Sequence, residues 1–168
     1  DSDESRGLGD VYKRQKVGRM NLIYVSDSRG RIVTELSCIR LGEDNFVLIT
    51  AAGAQWHDGD LIRASVPNGV AVRETTTERD TLVVTGPTSR TVLAGISDAN
   101  LQQGWLTHQW ATVAGQKVFM IRVSFAGELG WELHAENAVM PAIYDAVLAA
   151  GAKPCLLYTS DAADDPAS

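Results

Sequence analysis

Two acidic side chains in the stretch SFAGELGWELH, residues 124–134, have a spacing that suits a ligand site. Gly127 and Gly130 lie three residues apart and predict a tight turn, with Glu128 inside the turn and Glu132 on the strand that follows. A carboxylate held on a strand has a fixed direction and can accept two parallel N–H bonds, which is the geometry that an amidine-like edge of a heterocycle requires. The alternative interpretation is an ordinary hairpin whose two acids are solvated.

The composition limits the partners of such a site. The chain has 168 residues and 45% hydrophobic content, enough to bury a core, and its net charge of −6 disfavours nucleic acid and anionic membranes as partners. No apolar run reaches the roughly 18 residues that a membrane span needs, and the N-terminus lacks the form of a signal peptide. Cys38 and Cys155 are the only cysteines, and no Cys/His spacing suits a metal ion, so we expect no metal site and a reducing, cytoplasmic location.

The elements that must position these residues predict an α+β fold. Strands in hairpins with helices inserted between them indicate antiparallel sheets with flanking helices, and they disfavour a doubly wound parallel sheet. The predicted strands are residues 22–25, 32–41, 46–50, 70–74, 81–85, 110–113, 117–123 and 131–134. The predicted helices are residues 51–64, 86–93 and 138–149, and residues 96–109 are expected to form a linker or a short helix.

Both ends of the chain resemble translated sequencing adapter. One DNA element, read on opposite strands, can encode residues 10–15 and residues 155–160. We therefore predict that residues 1–15 and 155–168 are adapter-derived tails, and that the remainder is an internal piece of a longer protein. Natural tails at the two ends are the alternative.

The stretch SFAGELGWELH resembles the glycine-rich turn of the tetrahydrofolate-binding aminomethyltransferase family. Three other segments resemble that family in the same order: SRGRIVTELSCIRLGEDNFVLITAA, VVTGPTSRTVL and AAGAKP. Within the family, the segments are most similar to the folate domain that is fused to flavin-dependent dimethylglycine and sarcosine dehydrogenases. The resemblance implies a partial aminomethyltransferase folate-binding fold, with residues 16–109 as its first α+β part and residues 110–154 as its second part.

The resemblance also implies roles for individual residues. Glu132 falls on the family's glutamate that grips the 2-amino and N3–H edge of the pterin. Phe125 replaces the family's aromatic hydroxyl residue, which implies stacking on the folate without a hydrogen bond. Trp131 is expected as core or pocket wall, and Leu22 and Ala51 are expected to line the folate without a polar contact.

The catalytic aspartate of the family falls on Glu35, which carries one more methylene group. In the family this acid assists as a secondary amine attacks a methylene iminium, by accepting a proton and opposing the developing positive charge. The extra methylene moves the carboxylate oxygens by about an ångström, and a displacement of that size can cost about a hundredfold in rate. An exposed strand carboxylate without a catalytic role is the alternative for Glu35.

Taken together, these segments predict a fragment of an aminomethyltransferase-like module in an FAD-linked N-methylglycine dehydrogenase. The module would pass a one-carbon unit from a small amine to tetrahydrofolate, while FAD would bind to a domain outside this chain. The isolated fragment is expected to be inactive. Two alternatives are a non-enzymatic folate-binding protein of the iron–sulfur assembly type and a free-standing aminomethyltransferase of glycine cleavage.

Overall fold

A three-stranded antiparallel meander forms the first layer of the fold. In the computed structural model, which describes residues 15–124 and 127–155, its strands are β1 (Met20–Ser26), β2 (Ile32–Arg40) and β3 (Phe46–Ile49). The turn between β1 and β2 is closed by Asp27, whose Oδ1 accepts hydrogen bonds from the backbone N–H groups of Arg29 at 2.8 Å and Arg31 at 3.0 Å. Local turn chemistry therefore fixes this hairpin.

A helix covers one face of this meander. A short 3-10 turn (Ala52–Ala54) leads into α1 (Gln55–Ser65), which contributes the buried side chain of Ile62 to a cluster with apolar residues of β1 and β2. Asp58, on the same helix, is fully buried and accepts a hydrogen bond from the Thr34 hydroxyl at 3.1 Å. The opposite face of the meander remains open beside β1 and β2. The buried members of the cluster are Ile23, Leu36, Cys38 and Ile62.

A four-stranded antiparallel sheet forms the second layer, with strand order β4-β7-β6-β5. These strands are β4 (Arg79–Thr85), β5 (His108–Val113), β6 (Gln116–Ile121) and β7 (Gly130–Glu136). Two helices, α2 (Ser89–Ala94) and α3 (Met140–Ala149), pack on one face and enclose the main core. Its fully buried side chains are Leu93, Val113, Val118, Met120, Trp131, Leu133 and Ile143.

The two sheets meet through a smaller apolar cluster. Met20 of β1 and Ile39 of β2 pack against Phe119 and Ile121 of β6. A backbone hydrogen bond of 2.9 Å from the N–H of Met20 to the carbonyl of Leu106 continues the same contact. The open face of the meander and the helix-free face of the second sheet therefore converge on one place.

The predicted α+β class with antiparallel sheets and flanking helices is confirmed, and so are most of the predicted elements. The strand predicted at residues 70–74 is wrong, because that segment forms no ladder with either sheet. Instead, its last residue, Glu74, receives a hydrogen bond from Gln55 and forms an ion pair with Arg63 at 3.3 Å, both on α1. Alternating valines predicted a strand, but a strand also needs a neighbour that offers backbone groups.

Two predicted boundaries do not follow the sheets. The division at residue 109 falls inside β5. The second sheet also contains strands of both predicted parts, because β4 of the first part pairs with β7 of the second part. Gln15, the last residue of the predicted N-terminal tail, lies within the fold. Its side chain is buried and donates hydrogen bonds to the carbonyls of Arg19 at 2.6 Å and Cys38 at 2.8 Å.

Candidate functional site

Glu132 lies on β7, one of the two inner strands of the second sheet. Its neighbours across the sheet are Val83 on β4 and Ile121 on β6. Side chains alternate between the two faces of a strand, so Trp131 and Leu133 enter the helix-covered core while Glu132 projects from the other face. Its side chain is 27% exposed. The carboxylate is therefore aimed by a rigid element and is still reachable.

A chain of hydrogen bonds holds this carboxylate. Oε2 of Glu132 lies 3.0 Å from Nε2 of His134, and Nδ1 of His134 lies 2.9 Å from the hydroxyl oxygen of Thr81. His134 is two residues beyond Glu132 on β7, and Thr81 is its partner on β4, so all three side chains share one face. The His134 side chain is 11% exposed. The arrangement fixes one carboxylate oxygen, and among the described residues the other accepts no hydrogen bond from a protein group.

Aromatic rings border the same face. The Phe119 ring centroid lies 6.0 Å from that of His134 and 5.1 Å from that of Trp110. Phe119 is buried in the cluster between the sheets, whereas Trp110 is substantially exposed on β5. Val83, beside Glu132, is also exposed. The face that carries the carboxylate therefore also offers apolar and aromatic surface, which a site for a flat heterocycle requires.

The glycine-rich turn before β7 is joined to the start of α2. The carbonyl of Leu129 accepts hydrogen bonds from the N–H of Gly86 at 2.8 Å and from the hydroxyl of Ser89 at 3.1 Å. Gly127 has a φ of +81°, a conformation that favours glycine. Glu128 is exposed in this turn, as expected for an acid outside the ligand site. Two motifs that are about forty residues apart in sequence thus form one structural unit.

Gly130 is required by close approach. A Cβ atom at this position would lie 3.0 Å from Oγ1 of Thr85 and 3.2 Å from the carbonyl oxygen of Val123. The guanidinium of Arg122 donates a hydrogen bond to the carbonyl of Gly130 at 3.0 Å. Three segments therefore converge at the first residue of the strand that carries Glu132.

Trp131, one of the two aromatic residues predicted beside the folate, does not share the face of Glu132. Trp131 is fully buried in the main core, on the face of β7 opposite Glu132, where the Arg122 guanidinium carbon lies 4.9 Å from its ring centroid. In this position Trp131 supports the strand from behind, because successive residues of a strand point to opposite faces. Phe125 lies outside the described residues.

The remaining predicted residues lie on or beside the open face of the meander. Leu22 and Glu35 are both exposed. They share this face because Leu22 pairs with Ser37 and Glu35 pairs with Tyr24, and Ser37 is two residues from Glu35 on β2. Ala51 is exposed two residues after the last paired residue of β3. The structure thus brings Leu22 and Glu35 together on one sheet and places Glu132 on the other.

Glu35 has a partner across the strand pair. The Tyr24 hydroxyl donates a hydrogen bond to the Glu35 carboxylate, and this bond raises the pKa of Tyr24 above its ordinary value, with a smaller contribution from the negative charge of Glu35. Both side chains are exposed. The contact gives the carboxylate a defined direction on an otherwise open surface.

Reasoning from the sequence did not bring His134 and Thr81 into the site. The available signal was the spacing Glu132-x-His134 on a predicted strand, because residues two apart share a face. In the part of the chain that the structure describes, no three His, Cys, Asp or Glu side chains are arranged to hold a metal ion. None of the described helices has the length and apolar character of a membrane span.

A family model for the GCVT N-terminal domain matches residues 9–162. The chain belongs to the GCVT N-terminal domain family. The match covers all of the described residues and extends into both predicted tails.

Relatives of this GCVT domain include both dehydrogenases and free-standing transferases. Human mitochondrial dimethylglycine dehydrogenase is 33% identical over 142 residues, which are 81% of this chain and 16% of that protein. Mouse mitochondrial sarcosine dehydrogenase is 43% identical over 90 residues, covering 52% of this chain and 10% of that protein. An aminomethyltransferase from Thermus thermophilus is 29% identical, covering 87% of this chain and 42% of that protein. The chain therefore spans less than half of each of these relatives.

Two solved structures share the fold of this GCVT domain. The glycine cleavage system aminomethyltransferase T from Bartonella henselae superposes with a TM-score of 0.67 at 23% identity, over 80% of this chain and 36% of that one. The heterotetrameric sarcosine oxidase from Corynebacterium sp. U-96 gives a TM-score of 0.58 at 19% identity, over 84% of this chain and 69% of that one. The aminomethyltransferase-like α+β fold predicted from the sequence is thereby confirmed.

Proposed function

We propose that this chain is part of the folate-binding module of an FAD-linked dehydrogenase that acts on N-methylglycines of the dimethylglycine or sarcosine type. The similarity to dimethylglycine and sarcosine dehydrogenases supports this assignment. The observation that carries it is the placement of Glu132, a half-buried carboxylate directed from an inner strand onto an accessible face. The flavin would bind to a part of the parent protein outside this chain.

The residues around Glu132 fit the pterin ring of tetrahydrofolate. An ionised carboxylate only accepts hydrogen bonds, and the amidine-like edge of a pterin only donates them. Among the described residues, no Lys or Arg forms an ion pair with Glu132, so its carboxylate is available to a ligand that donates hydrogen bonds. Val83 and Trp110 supply exposed apolar surface on the same face. When bound, tetrahydrofolate would accept the one-carbon unit.

Glu35 has the position of a proton acceptor for a small-molecule amine. Its carboxylate lies on the open face of the meander, on the side where that sheet meets the sheet of Glu132. The hydrogen bond from Tyr24 would steady it, and its negative charge would oppose positive charge that develops on the amine. Neither nucleic acid nor a membrane surface is proposed as a partner, because residues 16–154, without the predicted tails, hold 12 Lys and Arg against 14 Asp and Glu and so are not basic.

The cytoplasmic location predicted from cysteine usage remains a proposal. The dimethylglycine and sarcosine dehydrogenases that the chain resembles are named as mitochondrial proteins. Fractionation of cells that express the parent protein would decide between these compartments.

The function is tested by calorimetric titration of the complete parent protein with tetrahydrofolate. Glu132→Gln should weaken binding by about tenfold to a hundredfold, because one acceptor oxygen and the negative charge are lost. Glu128→Gln is the matched control, since Glu128 is an exposed acid in the adjoining turn, and its Kd should stay within about threefold of the original. An unchanged Kd for Glu132→Gln would remove the proposed site.

A further inference from the structure

We propose that His134, itself held by Thr81, is a positioning residue that orients the Glu132 carboxylate for its ligand. The inference rests on the proposed function and adds to it two side chains on the same face: His134, which contacts the Glu132 carboxylate, and Thr81, which contacts His134. Neither residue is assigned to the folate directly. Both act through Glu132.

The hydrogen-bond directions follow from the donors that are available. The Glu132 carboxylate accepts only, so Nε2 of His134, at 3.0 Å, carries the hydrogen and donates it. On the other side of the ring, Nδ1 of His134 and the Thr81 hydroxyl oxygen lie 2.9 Å apart and share a hydrogen bond. The result is an ordered relay from β4 through His134 to one oxygen of Glu132.

The imidazole of His134 is packed between side chains of both neighbouring strands, so its position on the sheet is fixed. His134 pairs with Thr81 on one neighbouring strand and with Phe119 on the other, and its ring packs against the Phe119 ring at 6.0 Å and 56°. Only 11% of its side chain is exposed, compared with 27% for Glu132. The less mobile residue therefore anchors the more accessible one.

Fixing one oxygen of Glu132 has a consequence for binding. A free glutamate side chain loses rotamer freedom when a ligand immobilises it, and that loss weakens the measured affinity. With Oε2 held by His134, the carboxylate is oriented before the ligand arrives, and the remaining lone pairs of both oxygens are left to accept from the ligand. Removal of the His134 donor should therefore raise the Kd without removing the carboxylate.

The alternative is that His134 only fills space on the sheet face, and isosteric amides separate the two roles. The amide nitrogen of glutamine reaches about as far as Nε2 of histidine and can still donate to Glu132. The amide of asparagine reaches only the level of Nδ1, so it can meet Thr81 but not Glu132. His134→Gln and His134→Asn are therefore a matched pair that differ in the donor to the carboxylate.

The experiment is titration of the complete parent protein with tetrahydrofolate, with the thermal midpoint of each variant measured alongside. We expect His134→Asn to weaken binding about fivefold to tenfold and His134→Gln to stay within about 1.5-fold of the original. Added to Glu132→Gln, His134→Asn should cause little further loss, because residues that act through one another are not additive. Thr81→Val gives an independent test if the asparagine variant does not fold, and it should weaken binding about threefold.

The outcomes distinguish this inference from the function on which it rests. If Glu132→Gln weakens binding while His134→Asn and Thr81→Val do not, the positioning role is overturned and the folate site stands. Equal losses for His134→Gln and His134→Asn, additive with Glu132→Gln, would also overturn it. If Glu132→Gln leaves the Kd unchanged, the proposed function fails and takes the positioning role with it.

Discussion

Replacement of Gly130 by alanine should disturb the strand that carries Glu132 at its first residue. The added Cβ would lie 3.0 Å from Oγ1 and 3.3 Å from Cβ of Thr85, and 3.2 Å from the carbonyl oxygen of Val123. The Thr85 side chain can turn only in part, because its Cβ is attached to paired backbone. The Val123 oxygen is backbone itself. The clash can therefore be relieved only by moving strands apart.

Overpacking of this kind costs about 1–3 kcal/mol of the free energy of unfolding. For a chain of about this size, each kcal/mol lowers Tm by about 2–4 °C. Guanidinium unfolding of the 168-residue chain, followed by the fluorescence of its four tryptophans, of which Trp131 is fully buried, would measure the loss.

Gly53→Ala is the matched control for this substitution. A Cβ at Gly53 would have no atom within 4 Å, and its φ is not in the left-handed region. This variant should therefore be as stable as the original chain or slightly more stable. If Gly130→Ala were as stable as Gly53→Ala, the three segments could not approach each other as closely as described.

Four further predictions concern buried groups. Burial raises the pKa of the Cys38 thiol from 9.0 to about 11. The contribution of the protonated thiol to the free energy of unfolding is therefore complete below about pH 9 and is lost as pH rises toward 11. Alkaline unfolding curves should show that the chain loses up to about 3 kcal/mol over that interval relative to Cys38→Ala. Native-state alkylation followed by mass spectrometry should label the exposed Cys155 and leave Cys38 unmodified, and labelling of both would contradict its burial. Leu133→Ala, at a fully buried core position, should cost about 2–5 kcal/mol in denaturant unfolding, and a cost below 1 kcal/mol would count against the core assignment. Asp58→Ala should lower the free energy of unfolding by about 1–3 kcal/mol, because the hydroxyl of Thr34 loses its acceptor. Urea unfolding measures this loss, with Asp60→Ala, the replacement of an exposed acid on the same helix, as the control.

The hairpins could be predicted from the sequence because their determinants are local. Asp27 closes the first turn with its own side chain, and the alternation of Trp131, Glu132 and Leu133 indicates a strand with one face in a core. The segment 70–74 shows where local pattern fails. It alternates in the same way, but the sheets offer it no edge, and the position of a sheet edge is a property of the whole fold.

The candidate site could be predicted only in part for the same reason. The turn and the strand around Glu132 indicate it as a candidate ligand-binding residue, and the structure places it on an accessible face. Trp131 was expected beside the ligand or in the core, and only the packing of α2 and α3 decides for the core. The contact of His134 with Thr81 depends on the register of β4 against β7. These strands are about fifty residues apart in sequence, so no local pattern determines their register.

A crystal structure of the complete parent protein with bound tetrahydrofolate would test the central claim most directly. We expect the 2-amino group and N3–H of the pterin to lie about 2.7–3.2 Å from the oxygens of Glu132, on the face that also carries Val83 and Trp110. A pterin bound elsewhere, with the Glu132 carboxylate contacting only solvent and His134, would contradict the account.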